Sequence, residues 1–538
     1  MMKKSKNQRP AENILDLFLR HPFIIAALLS LLLLPLGFAQ MENVTTEGIV
    51  IEAIIWILGV SALIVLAKPS KNPKVNTYLI ISSALLVILF SLFVGQNQSF
   101  STVMFIPVLF GLFQFALVMR REKTLTADRV VMLMMILGVV VRYCYVLKFN
   151  CTQMQHDVGT FAGTQGHEAY IMYWYNNGLT LPDFNVTTRW QFYHPPLHHL
   201  LMALGLRIFT TFGMPFEWAQ EAIQILPMIY SALSMAACYR IFKLMKLEGT
   251  GLIVAMSIAC FYPTFIIWGG EYNNDMLATL FMLLAILWTL KWYNKPSFRN
   301  IMPIALCVGL GMMSKLSAWM VAPGIAIVFL WKFIRNIKKP LPFIGQFAAF
   351  GVVCAPLGLW WQIRNLLTFN IPITYVPDTK MASMSVENIP VMQRLFDFSL
   401  FQFDYPFIAF MSYKAPYNEY NPLIGLLKTS LYDEYHIEWN FKEMATVFVV
   451  VAAILALLST VCLVWWLIKR KTEADLTTKI FFVIIFLTIM VSYYMFCFEF
   501  PYVCTENIRY CIPVIPILAL ALGFGVNEVK RRLAENKS

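Results

Sequence analysis

The densest chemistry in the sequence lies between residues 150 and 220, where five of the seven histidines sit among carboxylates and amides. Gln155-His156-Asp157 is followed by Gly166-His167-Glu168, by Asn177-Gly178-Leu179-Thr180-Leu181-Pro182-Asp183, and by Phe192-Tyr193-His194-Pro195-Pro196-Leu197-His198-His199. Imidazoles and carboxylates are the side chains that move protons in general acid–base catalysis, and both bind cations. Asp157 follows directly on an apolar run, which puts its carboxylate at a membrane–water boundary, where a lipid headgroup lies. The plain alternative is a solvated loop carboxylate. His194 and His198 have the four-residue spacing of metal ligands on a helix, but Pro195-Pro196 between them breaks regular geometry. They equally suit a hydrogen bond to substrate phosphate, for His194, and an interfacial helix, for His198 and His199. The cysteines show no zinc-type or redox spacing, and most lie in apolar runs; Cys151 and Cys504 fall in outer loops, where pairing is open.

The elements that must position these groups follow from composition. A chain of 538 residues that is 59% apolar and 13% charged carries more hydrophobic surface than soluble cores bury and needs lipid as a solvent. Runs near the roughly 20-residue length that spans a hydrocarbon core begin with Phe23–Ala39, Ile49–Ala67, Tyr78–Val94, Val103–Met119 and Val130–Leu147. No small-residue cleavage site closes the first of them convincingly, so it is read as a retained span. The formal charge of +12 resides in short connections and not in one stripe, which excludes a nucleic-acid surface and sets topology.

Those connections are Lys3–Arg9, Lys68–Lys74, Arg120–Arg129, Arg240–Lys246, Lys291–Arg299, Lys332–Lys339, Lys469–Lys479 and Lys530–Lys537. All of them face the cytosol only if Pro195–Phe212 is an amphipathic segment on the outer face and not a span. The later spans are then Ala222–Leu244, Leu252–Trp268, Met276–Trp292, Ile301–Ser314, Ser317–Phe333, Phe343–Trp361, Ala445–Ile468, Ile480–Phe498 and Tyr510–Val526. The expected fold is an all-α polytopic membrane protein of about 14 transmembrane helices, with interfacial helices in a large first extracytoplasmic loop and both termini cytosolic. Outer loops run over residues 150–220, 362–443 and 499–509, and Arg509, Lys315 and Arg364 all fall at outer span ends. The second loop repeats aromatic and acidic residues, among them Tyr375, Asp404, Tyr413, Tyr417, Tyr420, Asp433, Glu434 and Trp439; these suit sugar stacking, an interfacial belt or a loop core, and Asn421–Tyr432 suits a segment lying along the membrane.

An acidic residue just after a span, a helical stretch ending in the Asn177-Gly178 to Pro182 turn, and His194-Pro195-Pro196-Leu197 together resemble the first outer loop of GT-C glycosyltransferases, the protein O-mannosyltransferases and their bacterial family 39 relatives. Further segments keep the family order: Glu271-Tyr272-Asn273-Asn274-Asp275 is similar to the second outer acidic motif, and Gly309 to Lys315 to the Gly-Leu…Lys segment. Trp360-Trp361-Gln362-Ile363-Arg364-Asn365 and Arg509-Tyr510-Cys511-Ile512-Pro513 resemble the later Trp…Arg-Asn and Arg-Tyr…Pro segments. The resemblance covers roughly Val130 to Val526 and leaves the first four spans outside it. It implies an N-terminal membrane segment over 1–128, a GT-C-like catalytic domain over 129–527 and a cytosolic tail over 528–538. Protein O-mannosyltransferases carry an acidic pair where this chain has His156-Asp157, so a protein hydroxyl is not the implied acceptor, and a bacterial cell-envelope glycan or lipid suits better.

The resemblance implies a polyprenyl-phosphate sugar donor, an extracytoplasmic glycan, lipid or protein acceptor, and a bacterial plasma membrane. Phosphate on the anomeric carbon is a good leaving group that needs charge stabilisation more than protonation, so one carboxylate base suffices. Asp157 is the expected base of an inverting transfer. His156, Glu168, His194, Glu271, Asp275, Lys315, Arg364, Arg509 and Tyr510 are the expected substrate-binding residues, with Glu271 and Asp275 alternatively capping a helix start and the basic residues alternatively interfacial anchors. No metal ligand is assigned and no cofactor is firmly implied, with a divalent metal left open. The rival class is a secondary transporter or flippase, which ordinarily places its polar residues near mid-membrane in repeated halves, whereas here they cluster at outer span ends. The orientation is checked by impermeant thiol labelling: a cysteine placed in the first outer loop reacts from outside and one in the 68–74 connection does not, and the reverse pattern rejects the topology.

Overall fold

A computed structural model describes residues 14–41, 46–93, 100–378, 382–409, 418–436, 439–470, 472 and 474–536. Lys3–Arg9, Tyr413 and Tyr417 lie outside the described residues. The described chain is helical throughout, without a strand among those residues. Every apolar segment read as a span falls mainly on helix, with departures at Leu252–Trp268 and at the start of Tyr510–Val526. Seven helical segments are long and apolar enough to cross a membrane: Ala127–Lys148, Phe216–Leu244, Asp275–Asn294, Leu316–Arg335, Leu341–Phe369, Lys442–Ile468 and Leu476–Glu499. Shorter apolar helical segments lie over Pro22–Leu33, Trp56–Leu66, Pro73–Ile88, Gly249–Phe261 and Phe298–Ser314. The protein is an all-α polytopic membrane protein.

Local chemistry explains where the helices depart from the expected segments. Pro263 has no amide hydrogen to continue the ladder, so Leu252–Trp268 divides into Gly249–Phe261 and Pro263–Ile267. Pro513 likewise delays the last helix to Val514, from which it runs to Glu535. The fold divides into two compact units, Met1–Lys148 and Phe149–Ser538. In the first, consecutive helices pack on one another, and Ser70 Oγ donates to Glu122 Oε1 at 2.9 Å, which holds the Lys68–Lys74 and Arg120–Arg129 connections together at one end.

In the second unit Ile225–Leu244 packs on Asp275–Asn294, which packs on Phe298–Ser314, which packs on Leu341–Phe369. Gly249–Phe261 crosses Val514–Glu535 backbone to backbone, because a side chain on Gly251 would collide with the Gly523 carbonyl and one on Gly523 would come within 2.7 Å of the Gly251 carbonyl. Asn527 fastens this crossing by accepting from Gly251 N at 2.8 Å and donating to Glu248 O at 2.9 Å.

The segment over residues 150–220 builds its own core. Gly166–Asn177 packs on Leu197–Thr211, with Tyr170, Trp174, Phe192, Met202, Leu206 and Trp361 in one buried cluster. Leu197–Thr211 is amphipathic in a particular sense: Leu204 and Ile208, one helical turn apart, are exposed, while His198 and His199 are fully buried. The histidines therefore face the protein and the aliphatic stripe suits an interface.

The described part of the segment over residues 362–443 is held by buried charge. Lys428 Nζ meets Glu419 Oε2 at 2.5 Å with both side chains fully buried, and Arg394 Nη2 reaches Glu506 Oε1 at 3.4 Å and Cys497 O at 2.9 Å. Pro422–Tyr432 carries that lysine and is buried over most of its length, so it is a core helix and does not lie along a surface. Removing one partner of such a pair strands the other, so Glu419→Gln destabilises by about 3–5 kcal/mol. Gly523→Val overpacks the helix crossing at a cost of about 1–3 kcal/mol. Thermal unfolding of the purified full-length protein checks both, and an unchanged midpoint for either contradicts the corresponding contact.

Candidate active site

The backbone that carries His156 and Asp157 is clamped from the side. Gln155 Oε1 accepts from Tyr272 N at 3.0 Å and its Nε2 donates to Gly270 O at 3.0 Å, while Gln224 Nε2 donates to the same carbonyl at 3.0 Å. Asp157 itself has φ +57°, a left-handed conformation that is uncommon outside glycine and that clusters at functional sites. The chain then doubles back, so that Glu168 N donates to Val158 O at 2.8 Å. Gly159 and Gly166, at φ +73° and +92°, permit this, because a side chain on Gly159 would strike the Gln165 carbonyl and one on Gly166 the Val158 carbonyl. Asp157 stands at the base of that reversal, where its carbonyl accepts from His167 N at 3.3 Å.

Facing it is the turn before the last helix. Arg509 Nη1 donates to Asp157 Oδ2 at 2.7 Å, across 352 residues of sequence. The turn is fixed by Asn507, whose Oδ1 accepts from Arg509 N at 2.9 Å. The same amide donates to Asp433 Oδ1 at 2.6 Å and to Glu434 Oε1 at 3.1 Å. His156 lies between the two sides, Nε2 3.2 Å from Asp157 Oδ2 and Nδ1 3.0 Å from Glu434 Oε2. Glu271 Oε1 accepts from Tyr435 OH at 3.0 Å, and Lys315 Nζ is paired with Asp275 and stands 5.2 Å over the Tyr510 ring.

Burial disfavours charge on each of these groups, so the direction of each titration reports which neighbour prevails. At Asp157 burial is outweighed by His156 and Arg509, which hold the carboxyl well below its usual range. At His156 burial and Arg509 both oppose protonation, yet Asp157 and Glu434 hold the imidazole well above its usual value. Burial and Asp433 push Glu271 well above the carboxylate range, and burial pushes Asp433 up to about 6. Lys315 is lowered by burial, with Asp275 opposing that shift. Asp275 pairs with Lys315 and makes no side-chain cap, so capping is not its role.

His167, His194 and His199 form a buried stack: His167 Nδ1 lies 2.8 Å from His199 Nε2, and the His194 ring stacks on His167 at 5.8 Å. His198 Nε2 lies 2.9 Å from Tyr272 O. Burial, together with the Lys315 charge at His194, holds the His194 imidazole well below its usual value, so it stands beside the site as a neutral ring. The Tyr193 hydroxyl is buried in the same field, with Arg509, Asp157 and Asp275 its charged neighbours.

Residues 193–360 match the family model described as dolichyl-phosphate-mannose-protein mannosyltransferase. The match agrees with the GT-C resemblance read from the sequence and supports a membrane glycosyltransferase of the mannosyltransferase type. It spans Tyr193, His194, Glu271, Asp275 and Lys315, and the other side of the site, with Asp157, Asp433, Glu434 and Arg509, lies outside the matched residues. No curated protein matches the chain.

The structure thus gathers Asp157, His156, His194, Glu271, Asp275, Lys315, Arg509 and Tyr510. Arg364 goes elsewhere: it donates to Pro182 O and Asn365 Oδ1 and lies over the Trp361 and Phe369 rings, fastening the first outer loop to the end of Leu341–Phe369. Cys151 and Cys504 are free thiols, and the Cys151 thiol donates to Glu221 Oε1 at 3.0 Å. Asp433 and Glu434, noted in the sequence only among the second loop's repeated aromatic and acidic residues, and Tyr193, noted only within the segment 192–199, were given no site role there, and Asn507 was not noted at all.

Glu168 faces a separate buried pocket, where burial first and Glu221 second push its carboxyl up to about 8, and its Oε1 has no partner. A folded-state value above the ordinary 4.5 means the folded protein binds the proton more tightly, so stability declines as pH rises from about 4.5 to 8 and levels above that. Glu168→Gln mimics the protonated acid. Its thermal midpoint should match wild type near pH 4.5, exceed it increasingly up to pH 8 and hold a constant excess above; a pH-independent difference refutes the assignment.

Proposed function

We propose that this protein transfers a sugar from a polyprenyl-phosphate-linked donor to a hydroxyl of an extracytoplasmic cell-envelope glycan, lipid or protein, with inversion at the anomeric carbon. The observation that carries the reading is the half-buried Asp157–Arg509 pair, in which Arg509 Nε has no hydrogen-bond partner. A guanidinium presents a fork of donors that suits a phosphate, and this one keeps a donor free beside the carboxylate.

The pair gives a sequence of events. A carboxylate tied to a guanidinium is a weak base. An incoming donor phosphate competes for Arg509, with the Lys315 ammonium beside it, and so withdraws positive charge from Asp157. The acceptor oxygen then attacks the anomeric carbon, the bond from that carbon to the phosphate oxygen breaks, and its electron pair leaves on polyprenyl phosphate held by Arg509 and Lys315. The acceptor proton passes to Asp157. Preorganised cations aimed at the departing phosphate stabilise charge where it develops and cost no reorganisation during the step. Glu271, Tyr510 and His194 line the sugar side of this arrangement in the proposal. The active site faces away from the cytosol of a bacterial plasma membrane, and both termini are cytosolic, as the basic connections require.

Radiolabelled-sugar transfer by the purified protein, with no ion gradient, tests the reading. Asp157→Asn keeps side-chain size and loses the base, so transfer falls on the order of a hundredfold or more. Arg509→Ala weakens donor binding as well as rate. Near-normal turnover by folded Asp157→Asn removes it as the base, and movement of intact donor across vesicles in place of transfer favours a transporter.

A further inference from the structure

Asp433 and Glu434 take no part in the transfer step as proposed, yet they face it directly. The site gathers five acidic side chains, Asp157, Glu271, Asp275, Asp433 and Glu434, around two basic ones, Arg509 and Lys315, with His156 between. Asp433, Asp275 and Glu271 are almost wholly buried, and Asp433 Oδ2, Asp275 Oδ2 and Glu271 Oε2 have no hydrogen-bond partner. Buried carboxylate charge without a compensating cation is costly, and the donor would bring further negative charge to the same place.

We propose that His156, Asp433 and Glu434 bind one divalent transition cation. A ring nitrogen of His156 and one oxygen from each carboxylate lie within 4.8 Å of one another, close enough to converge on a single ion. Two ligands set at a right angle, each about 2.1 Å from an ion, stand ~3 Å apart, and His156 Nδ1 is 3.0 Å from Glu434 Oε2. The arrangement outside the ligands fits as well. Asn507 holds Asp433 by Oδ1 and Glu434 by Oε1, which leaves Asp433 Oδ2 and Glu434 Oε2 on the histidine side. His156 Nε2 lies 3.2 Å from Asp157 Oδ2, so a carboxylate stands on the far side of the ring, where the outer partner of a metal-bound histidine ordinarily lies. One imidazole and two carboxylates suit Mn²⁺ or Zn²⁺, with water or a phosphate oxygen completing the coordination. The ion offsets the acid excess. Its use in holding the donor phosphate rests on the transfer reading, whereas its binding does not.

The test is metal uptake by the full-length protein with no sugar donor present. Protein stripped with a chelator is titrated with Mn²⁺, and free Mn²⁺ is read by electron paramagnetic resonance. One Mn²⁺ per chain is expected, displaced by Zn²⁺. Asp433→Asn and Glu434→Gln each weaken binding tenfold or more, and the exposed Asp183→Asn leaves it unchanged. Uptake of neither ion by folded wild type overturns the site, as does a double Asp433→Asn/Glu434→Gln variant that binds like wild type. Because wild-type stoichiometry decides the matter alone, variants that fail to fold do not leave it open. Because no transfer is measured, failure of the transferase reading leaves this result standing.

Discussion

Asp157 and Arg509 are both largely shielded from water, with 18% and 10% of their side-chain surface exposed, and their contact at 2.7 Å determines how the rest of the site can be built. Separating opposite charges inside protein leaves each one uncompensated, so any process that parts them must supply a replacement. A phosphate supplies one for Arg509 and an acceptor proton supplies one for Asp157. The same pair that stabilises the resting site thereby couples donor arrival to the basicity of the carboxylate. A solvated aspartate at the same position would have no such dependence.

Three separate stretches of chain are organised to keep that contact in place. Gln155 pins the Asp157 turn to residues 270–272. Asn507 pins the Arg509 turn to Asp433 and Glu434. The stretch carrying those acids is fixed in turn by the buried Lys428–Glu419 and Arg394–Glu506 pairs, and Thr429 Oγ1 accepts from Ile508 N at 2.9 Å. Beneath them, the glycine crossing of Gly251 and Gly523 sets the last helix against Gly249–Phe261, and that last helix begins just after Arg509. Packing midway along the helix therefore bears on the position of a guanidinium just before its start.

Apolar length and the placement of Lys and Arg made the helices legible, because lipid imposes a minimum span and charge is confined to its edges. Asp157 and Arg509 were legible for the same reason, each standing at the outer end of an apolar run. The partners that set their chemistry were not. Asp433 and Glu434 follow a Leu/Ile-rich stretch that reads like a surface-lying segment, and only the buried Lys428–Glu419 pair draws that stretch into the core. Arg364 and Arg509 look alike as basic residues at outer ends, yet Arg364 is taken up by the Pro182 carbonyl and two aromatic rings. Sequence position fixes the depth of a side chain more readily than its azimuth around the bundle, and the azimuth decides which charges meet.

The central claim is that donor phosphate and Asp157 compete for Arg509. Donor affinity measured on Asp157→Asn beside wild type, by equilibrium binding of a polyprenyl-phosphate sugar under conditions where no acceptor is present, tests it most directly. The account predicts that removing the carboxylate charge frees Arg509, so the variant binds donor at least as tightly as wild type while failing to turn it over. Donor binding that collapses in Asp157→Asn to the level of Arg509→Ala, in protein of normal thermal stability, contradicts it.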